Sequence, residues 1–108
     1  MSATEAPVTK LSRDQLIQRE RDEAWIGDAI LSLCAREWIL ARRGSLDGVM
    51  LERMTSNQFL SCLGNPTTVE SRIGLIYRDG GIAAVREWFE ATLVPLYEKQ
   101  EKKRRRGR

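Results

Sequence analysis

Between Ser12 and Gly44 the sequence sets a helix start signal, a helix stop signal and no proline. Ser12 and Gln15 have capping-box spacing, with Leu11 and Leu16 placed as a hydrophobic staple. Arg42 and Arg43 suit a helix C-terminus, and Gly44 suits the position just past it. Apolar residues recur three or four apart at Ile17, Ala24, Gly27, Leu31, Cys34, Trp38 and Ala41. One long helix, or two joined near Arg21, is predicted over residues 13–43. A chain of 108 residues has room for one domain built on that helix.

The remaining signals are also helical. A second capping box is read at Thr55, with Gln58 as its reciprocal partner, Met54 and Phe59 as the staple, and Gly64 as its end. Residues 45–54 are expected to form a short helix feeding into it. Asn65-Pro66 reads as N-cap and first position of a third helix through Val69, Ile73, Ile76 and Tyr77, stopping at Gly80-Gly81. A last helix gathers Ile82, Val85, Trp88, Phe89 and Leu93 on one stripe and bends near Pro95. With no alternating strand and no internal repeat, the fold class is all-α.

Composition removes several chemistries. The chain has no histidine, and its two cysteines are not in a CxxC arrangement. Zinc-finger ligation, Ser-His-Asp catalysis and a disulfide scaffold are excluded. No apolar run is long enough for a transmembrane helix, and residues 1–10 lack the apolar core of a signal peptide. A cytoplasmic setting with reduced thiols is expected.

Charge is unevenly placed. Seven of the 18 Lys and Arg, and two of the 15 Asp and Glu, fall in residues 98–108, leaving a body of net charge −2 and an arm of +5. The expected organisation is a disordered lead over 1–11, a helical domain over 12–97 and a polybasic tail over 98–108. So dense a run of like charge is expected to be disordered alone.

Two carboxylates stand out. Asp28 is the one charge in the run Ala24–Ala35. A helix apolar nearly all round is expected to be buried, and a buried carboxylate is costly unless paired or metal-bound. Asp28 is therefore either a functional group or the partner of an arginine such as Arg72. Glu70 lies near the start of the third helix, where a glutamate also favours the helix dipole. Gly27 and Gly74 each cost about 1 kcal/mol relative to alanine inside a helix. Together they predict a close helix–helix approach near the two carboxylates.

Three segments carry a family resemblance. Ala24-Trp25-Ile26-Gly27-Asp28-Ala29-Ile30-Leu31 resembles the ribonuclease III signature, in which a glutamate, an aromatic and a leucine precede Gly-Asp-Ala. Thr55-Ser56-Asn57-Gln58-Phe59-Leu60 is similar to the family's central Val-Ser-Asn-Glu-x-Leu segment. The run Thr67 to Gly81, with Glu70, Ile73-Gly74 and Asp79-Gly80-Gly81, resembles its second block. The three occur in family order across most of residues 20–93.

The resemblance implies a shortened, all-helical, dimeric endonuclease domain that cuts double-stranded or structured RNA with Mg²⁺, or Mn²⁺ in its place. Of the family's four metal-gathering carboxylates, Asp28 and Glu70 are present, whereas Ala24 and Thr67 occupy the other two positions. The short "mini" ribonuclease III type, which has no double-stranded-RNA-binding domain, has the same Ala and Thr. The helices that usually precede the second block are missing, because Leu63-Gly64-Asn65-Pro66 joins the segments directly. The family's aromatic falls on Trp25, which implies a two-fold dimer centred there. With a polyanionic substrate, Lys99, Lys102, Lys103, Arg104, Arg105, Arg106 and Arg108 are expected to contact RNA without reading its sequence; the alternative is a solubilising tail. Two rival functions remain: a catalytically degenerate domain that binds RNA without cutting, and a helical interaction protein with no RNA role.

Overall fold

The computed structural model describes residues 10–107; most of the expected N-terminal lead, residues 1–9, and Arg108 lie outside the described residues. The described residues are all-helical, with no strand. Helix α1 spans Arg13–Arg43, α2 Gly48–Thr55, α3 Asn57–Leu60, α4 Pro66–Trp88 and α5 Val94–Arg106, with a π-helical turn over Phe89–Leu93 before α5.

Helix α1 begins and ends at the expected signals. The Gln15 N–H donates to Ser12 Oγ at 3.1 Å, and the Ser12 N–H donates to Gln15 Oε1 at 2.8 Å. This closes both halves of the capping box. Gly44 takes a φ of 78° and its N–H donates to the Leu40 carbonyl, the left-handed stop that glycine supplies at little cost.

The central segment departs from expectation by one residue. Ser56, not Thr55, is the cap: its Oγ accepts from the Phe59 N–H at 3.1 Å. Thr55 is the last residue of α2, and its hydroxyl donates back to the Leu51 carbonyl at 2.7 Å. Adjacent Ser and Thr offer nearly the same local capping chemistry. Asp47 already caps α2 through the Met50 N–H. Helix α3 also ends at Leu60, before Gly64, so a short link joins it to α4.

Asn65 caps α4 by accepting from the Thr67 and Thr68 N–H groups at 3.0 and 3.3 Å, with Pro66 at its first position. The expected stop at Gly80-Gly81 is a break within α4, where Gly81 takes φ 72° and ψ −170°, a conformation essentially reserved for glycine. The helical path resumes at Ile82. Past Trp88 the backbone widens, and the Val94 N–H reaches back to the Phe89 carbonyl. Pro95 follows; it has no N–H to continue the usual ladder, so this is where one helix hands over to the next.

The core lies between α1, α4, the π turn and the first turn of α5, with Leu31, Ala35, Ile73, Val85, Phe89 and Leu93 buried. Met54, Phe59 and Leu60 close it from α2 and α3. Thr68 bonds Glu20 and Arg86 bonds Glu37, so α1 and α4 run in the same direction along each other.

Two expectations are overturned. The middle of α1 is buried on one side only: Trp25 is 80% exposed, and Ile26, Leu33 and Leu40 are exposed too. The reason is that α4 runs along one face of α1 and α2 packs against its C-terminal part, while none of this chain's described elements covers the face around Trp25. The polybasic segment is not disordered but helical through Arg106. It is tied to the body, since Glu101 Oε1 accepts from Arg53 at 3.3 Å and Gln100 Nε2 donates to Cys62 Sγ at 3.2 Å. The long side chains of a charged helix reach across to neighbours even where few apolar residues are available. Cys34 and Cys62 are both free, the first buried and the second exposed. No helix among the described residues is long and apolar enough to cross a membrane.

Candidate functional site

Gly27 and Gly74 sit where α1 and α4 come closest. A Cβ on Gly27 would occupy the space of the Glu70 carbonyl and would press on the Gly74 backbone. A Cβ on Gly74 would meet the Glu23 carbonyl. Both glycines therefore serve contact between backbones, as their mid-helix positions predicted. Any larger residue would hold the helices apart. Asp28 follows Gly27 directly on α1, and Glu70 lies one turn before Gly74 on α4, so the crossing carries the two carboxylates with it.

The consequence is chemical. Glu70 is half-buried, and its carboxyl is pushed up from an ordinary 4.5 to about 8. Burial is the main cause, followed by a hydrogen bond and the negative charge of Asp28. At neutral pH the pair thus favours sharing one proton. Asp28 itself is exposed rather than buried, and among the described residues it joins no ion pair, with Arg72 or any other arginine. It lies at the rim of the uncovered face of α1.

The buried carboxylate in this region is Glu23, 6% exposed, whose Oε2 pairs with Arg78 at 3.1 Å and whose Oε1 is buried without a partner. Sequence reasoning missed it, although a signal was present. Glu23 stands four residues before Gly27 and eight before Leu31, on the same stripe that faces the core.

The two positions at which the resemblance expects further carboxylates are also placed. Ala24 is buried one turn before Asp28, and Thr67 is exposed at the start of α4, its N–H bonded to Asn65. Among the described residues no group of three or more carboxylate, Cys or His side chains gathers. A pair remains. A carboxylate whose proton affinity is raised by burial and then by a second carboxylate beside it suits a divalent cation, which replaces that proton and relieves the repulsion. Mg²⁺ is held by one or two carboxylates plus water and substrate phosphate.

The seven expected RNA-contacting residues divide by face. Lys99, Lys103 and Arg106 point outward from α5, while Lys102 and Arg105 line a groove against α1 and α2. Arg104 turns inward and pairs with Glu101 at 3.2 Å, and Arg108 lies outside the described residues.

The Asp28–Glu70 pair makes stability depend on pH. Glu70 binds its proton more tightly in the fold than in the unfolded chain. Its stabilising contribution is complete below about pH 4.5 and is lost as pH rises through about 8. Melting temperature is expected to fall from pH 5 to pH 8, and Glu70→Gln is expected to flatten that slope. A wild-type slope no steeper than that of Glu70→Gln would show that the two carboxylates do not interact.

Comparison with family models, curated proteins and solved structures found no match to this chain.

Proposed function

We propose that this chain is a ribonuclease III-type endoribonuclease, acting as a homodimer on double-stranded or structured RNA with Mg²⁺. The observation that carries this reading is the meeting of Asp28 and Glu70 from two different helices at the Gly27–Gly74 crossing. These are the two family carboxylates the sequence retains, and the pair is arranged to hold a cation.

Asp28 and Glu70 would be the protein ligands. Bound Mg²⁺ would supply charge neutralisation at a phosphodiester and a more acidic water. Asp28, at the exposed rim, would be open to a phosphodiester from solvent. Glu70, sunk deeper, holds a proton in the absence of a cation and gives it up when one is bound. The rigid crossing fixes the spacing between them.

The uncovered face of α1 supports the dimer. Trp25, Ala29, Leu33 and Leu40 follow one another at helical spacing and are all exposed, with Ile26 and Leu46 beside them. An apolar stripe of this length on a small domain marks an interaction surface. A second copy placing its own Trp25 there makes a two-fold interface. Sedimentation is expected to give a dimer at micromolar concentration. Trp25→Ala is expected to weaken it by about 2 kcal/mol, or roughly 30-fold. A wild-type monomer at that concentration overturns the dimer.

A second reading is favoured by one observation, the absence of a third carboxylate at the site among the described residues. On that reading the domain binds RNA without cutting. Incubation with long double-stranded RNA separates the two. Cleavage that requires millimolar Mg²⁺ and stops with a chelator supports the enzyme; binding without cleavage selects the second reading.

A further inference from the structure

A large cavity lies away from the carboxylates. It is a groove of about 650 Å³ between the C-terminal turns of α1, helix α2 and helix α5. Its floor is aromatic: the Trp38 and Tyr97 rings meet edge to face with centroids 6.1 Å apart. Tyr97 is buried, and the Arg42 guanidinium lies 4.9 Å above the Trp38 ring.

The walls are charged. Arg42, Arg43, Arg53, Lys102 and Arg105 face Asp47, Glu98 and Glu101. Each carboxylate is met by an arginine of the groove, in the pairs Arg42–Glu98 at 3.1 Å, Arg43–Asp47 at 3.1 Å and Arg53–Glu101 at 3.3 Å, and Glu101 also accepts Arg104 from outside the groove. Lys102 and Arg105 make no ion pair among the described residues and leave the groove with two surplus positive charges. Their side chains are exposed. The Arg42–Glu98 pair is also exposed, and an exposed pair of this kind holds weakly. A phosphate offers the guanidinium fork a stronger, two-pronged acceptor.

We propose that this groove is a channel for the phosphate backbone of RNA, set about 20 Å along α1 from Asp28, from the 1.5 Å rise per residue. This rests on the RNA reading above and adds to it where the backbone is held. Three observations favour a phosphate backbone over an acidic protein segment. Eight of the twelve residues that line the groove are charged, and its aliphatic part is confined to Val49 and Met50. Its surplus cations lie one turn apart on α5. The outer face of the same helix continues the positive surface through Lys99, Lys103 and Arg106. The anchor and the carboxylates lie on one helix, so the distance between the held backbone and the candidate cleavage site is fixed by α1 itself.

The test compares two charge-matched double variants in the full chain. Lys102→Gln with Arg105→Gln removes the groove surplus; Lys99→Gln with Lys103→Gln removes the same charge from the outer face. All four positions are exposed, and circular dichroism checks that α5 stays helical. Binding of long double-stranded RNA is measured across salt concentrations. The groove variant is expected to bind about tenfold more weakly at low salt, with a log–log salt slope reduced by roughly 1 to 2. The outer variant is expected to lose clearly less. Equal losses in the two variants overturn the channel, because net charge alone then explains binding. Displacement of RNA by poly-glutamate as readily as by unlabelled RNA also overturns it and marks a protein-docking groove. Cleavage is read separately. A wild type that shows the groove-specific loss yet never cuts keeps the channel and rejects the nuclease, whereas cutting with equal losses does the reverse. A wild type that does not bind RNA rejects both.

Discussion

Asp28→Asn is expected to abolish RNA cleavage while leaving helix content and dimerisation unchanged. Asparagine keeps the shape and volume of the side chain and removes only its charge. Asp28 is exposed, so no packing is lost. One of the two carboxylates proposed to hold the metal disappears, and the loss of transition-state stabilisation is expected to be at least about 10²–10³-fold in rate, the scale on which single charge-stabilising groups act. A second readout is independent of activity. Without the Asp28 charge, the Glu70 carboxyl is expected to fall part of the way back toward its ordinary range, because burial remains the larger cause of its shift. The pH dependence of stability therefore flattens in Asp28→Asn, though less than in Glu70→Gln. Equal cleavage by wild type and Asp28→Asn on the same RNA would sink the assignment of this site.

Gly27→Ala is expected to be the most damaging single methyl in the protein. The added carbon would overlap the Glu70 carbonyl and press on the Gly74 backbone, and backbone has no rotamer to escape into. Alanine improves helix propensity by about 1 kcal/mol, but overpacking in a tight core costs about 1–3 kcal/mol and more where the neighbour is rigid. The clash wins, with a net loss of about 2 kcal/mol, which lowers the melting temperature of a domain this size by roughly 10 °C. Gly48→Ala is the control, since nothing lies within 4 Å of the Cβ it would add, and its melting temperature is expected to stay close to wild type. The clash also forces α1 and α4 apart and so separates Asp28 from Glu70. The pH slope of stability is then expected to flatten in Gly27→Ala as it does in Glu70→Gln. A melting temperature within a few degrees of wild type would show that the crossing is looser than its geometry.

The reach of these two substitutions follows from how the site was legible. The limits of α1, its capping box, the Asn65-Pro66 start of α4 and the break at Gly80-Gly81 are written in neighbouring residues. Caps and proline act within one turn, so a linear reading finds them. The glycine crossing was also legible, because two mid-helix glycines have a local cost that only a close approach explains. That cost pointed to a close approach near Asp28 and Glu70, though not to their pairing with each other.

The tertiary structure decided what depends on which face is covered. Periodicity marks an apolar residue but does not say whether any element of the same chain lies against it. The apolar run around Asp28 predicted a buried carboxylate, whereas α4 reaches Asp28 only through Glu70 at the edge of the contact and leaves Trp25 uncovered, so both are exposed and Glu23 is the buried acid. The basic segment failed for a related reason. Counting like charges predicts repulsion and disorder, but Glu98, Gln100 and Glu101 find partners on Arg42, Cys62 and Arg53, residues 38 to 56 positions away in sequence. Local backbone chemistry set both ends of α1 and the start of α4, and long-range contacts set which side of each helix meets water.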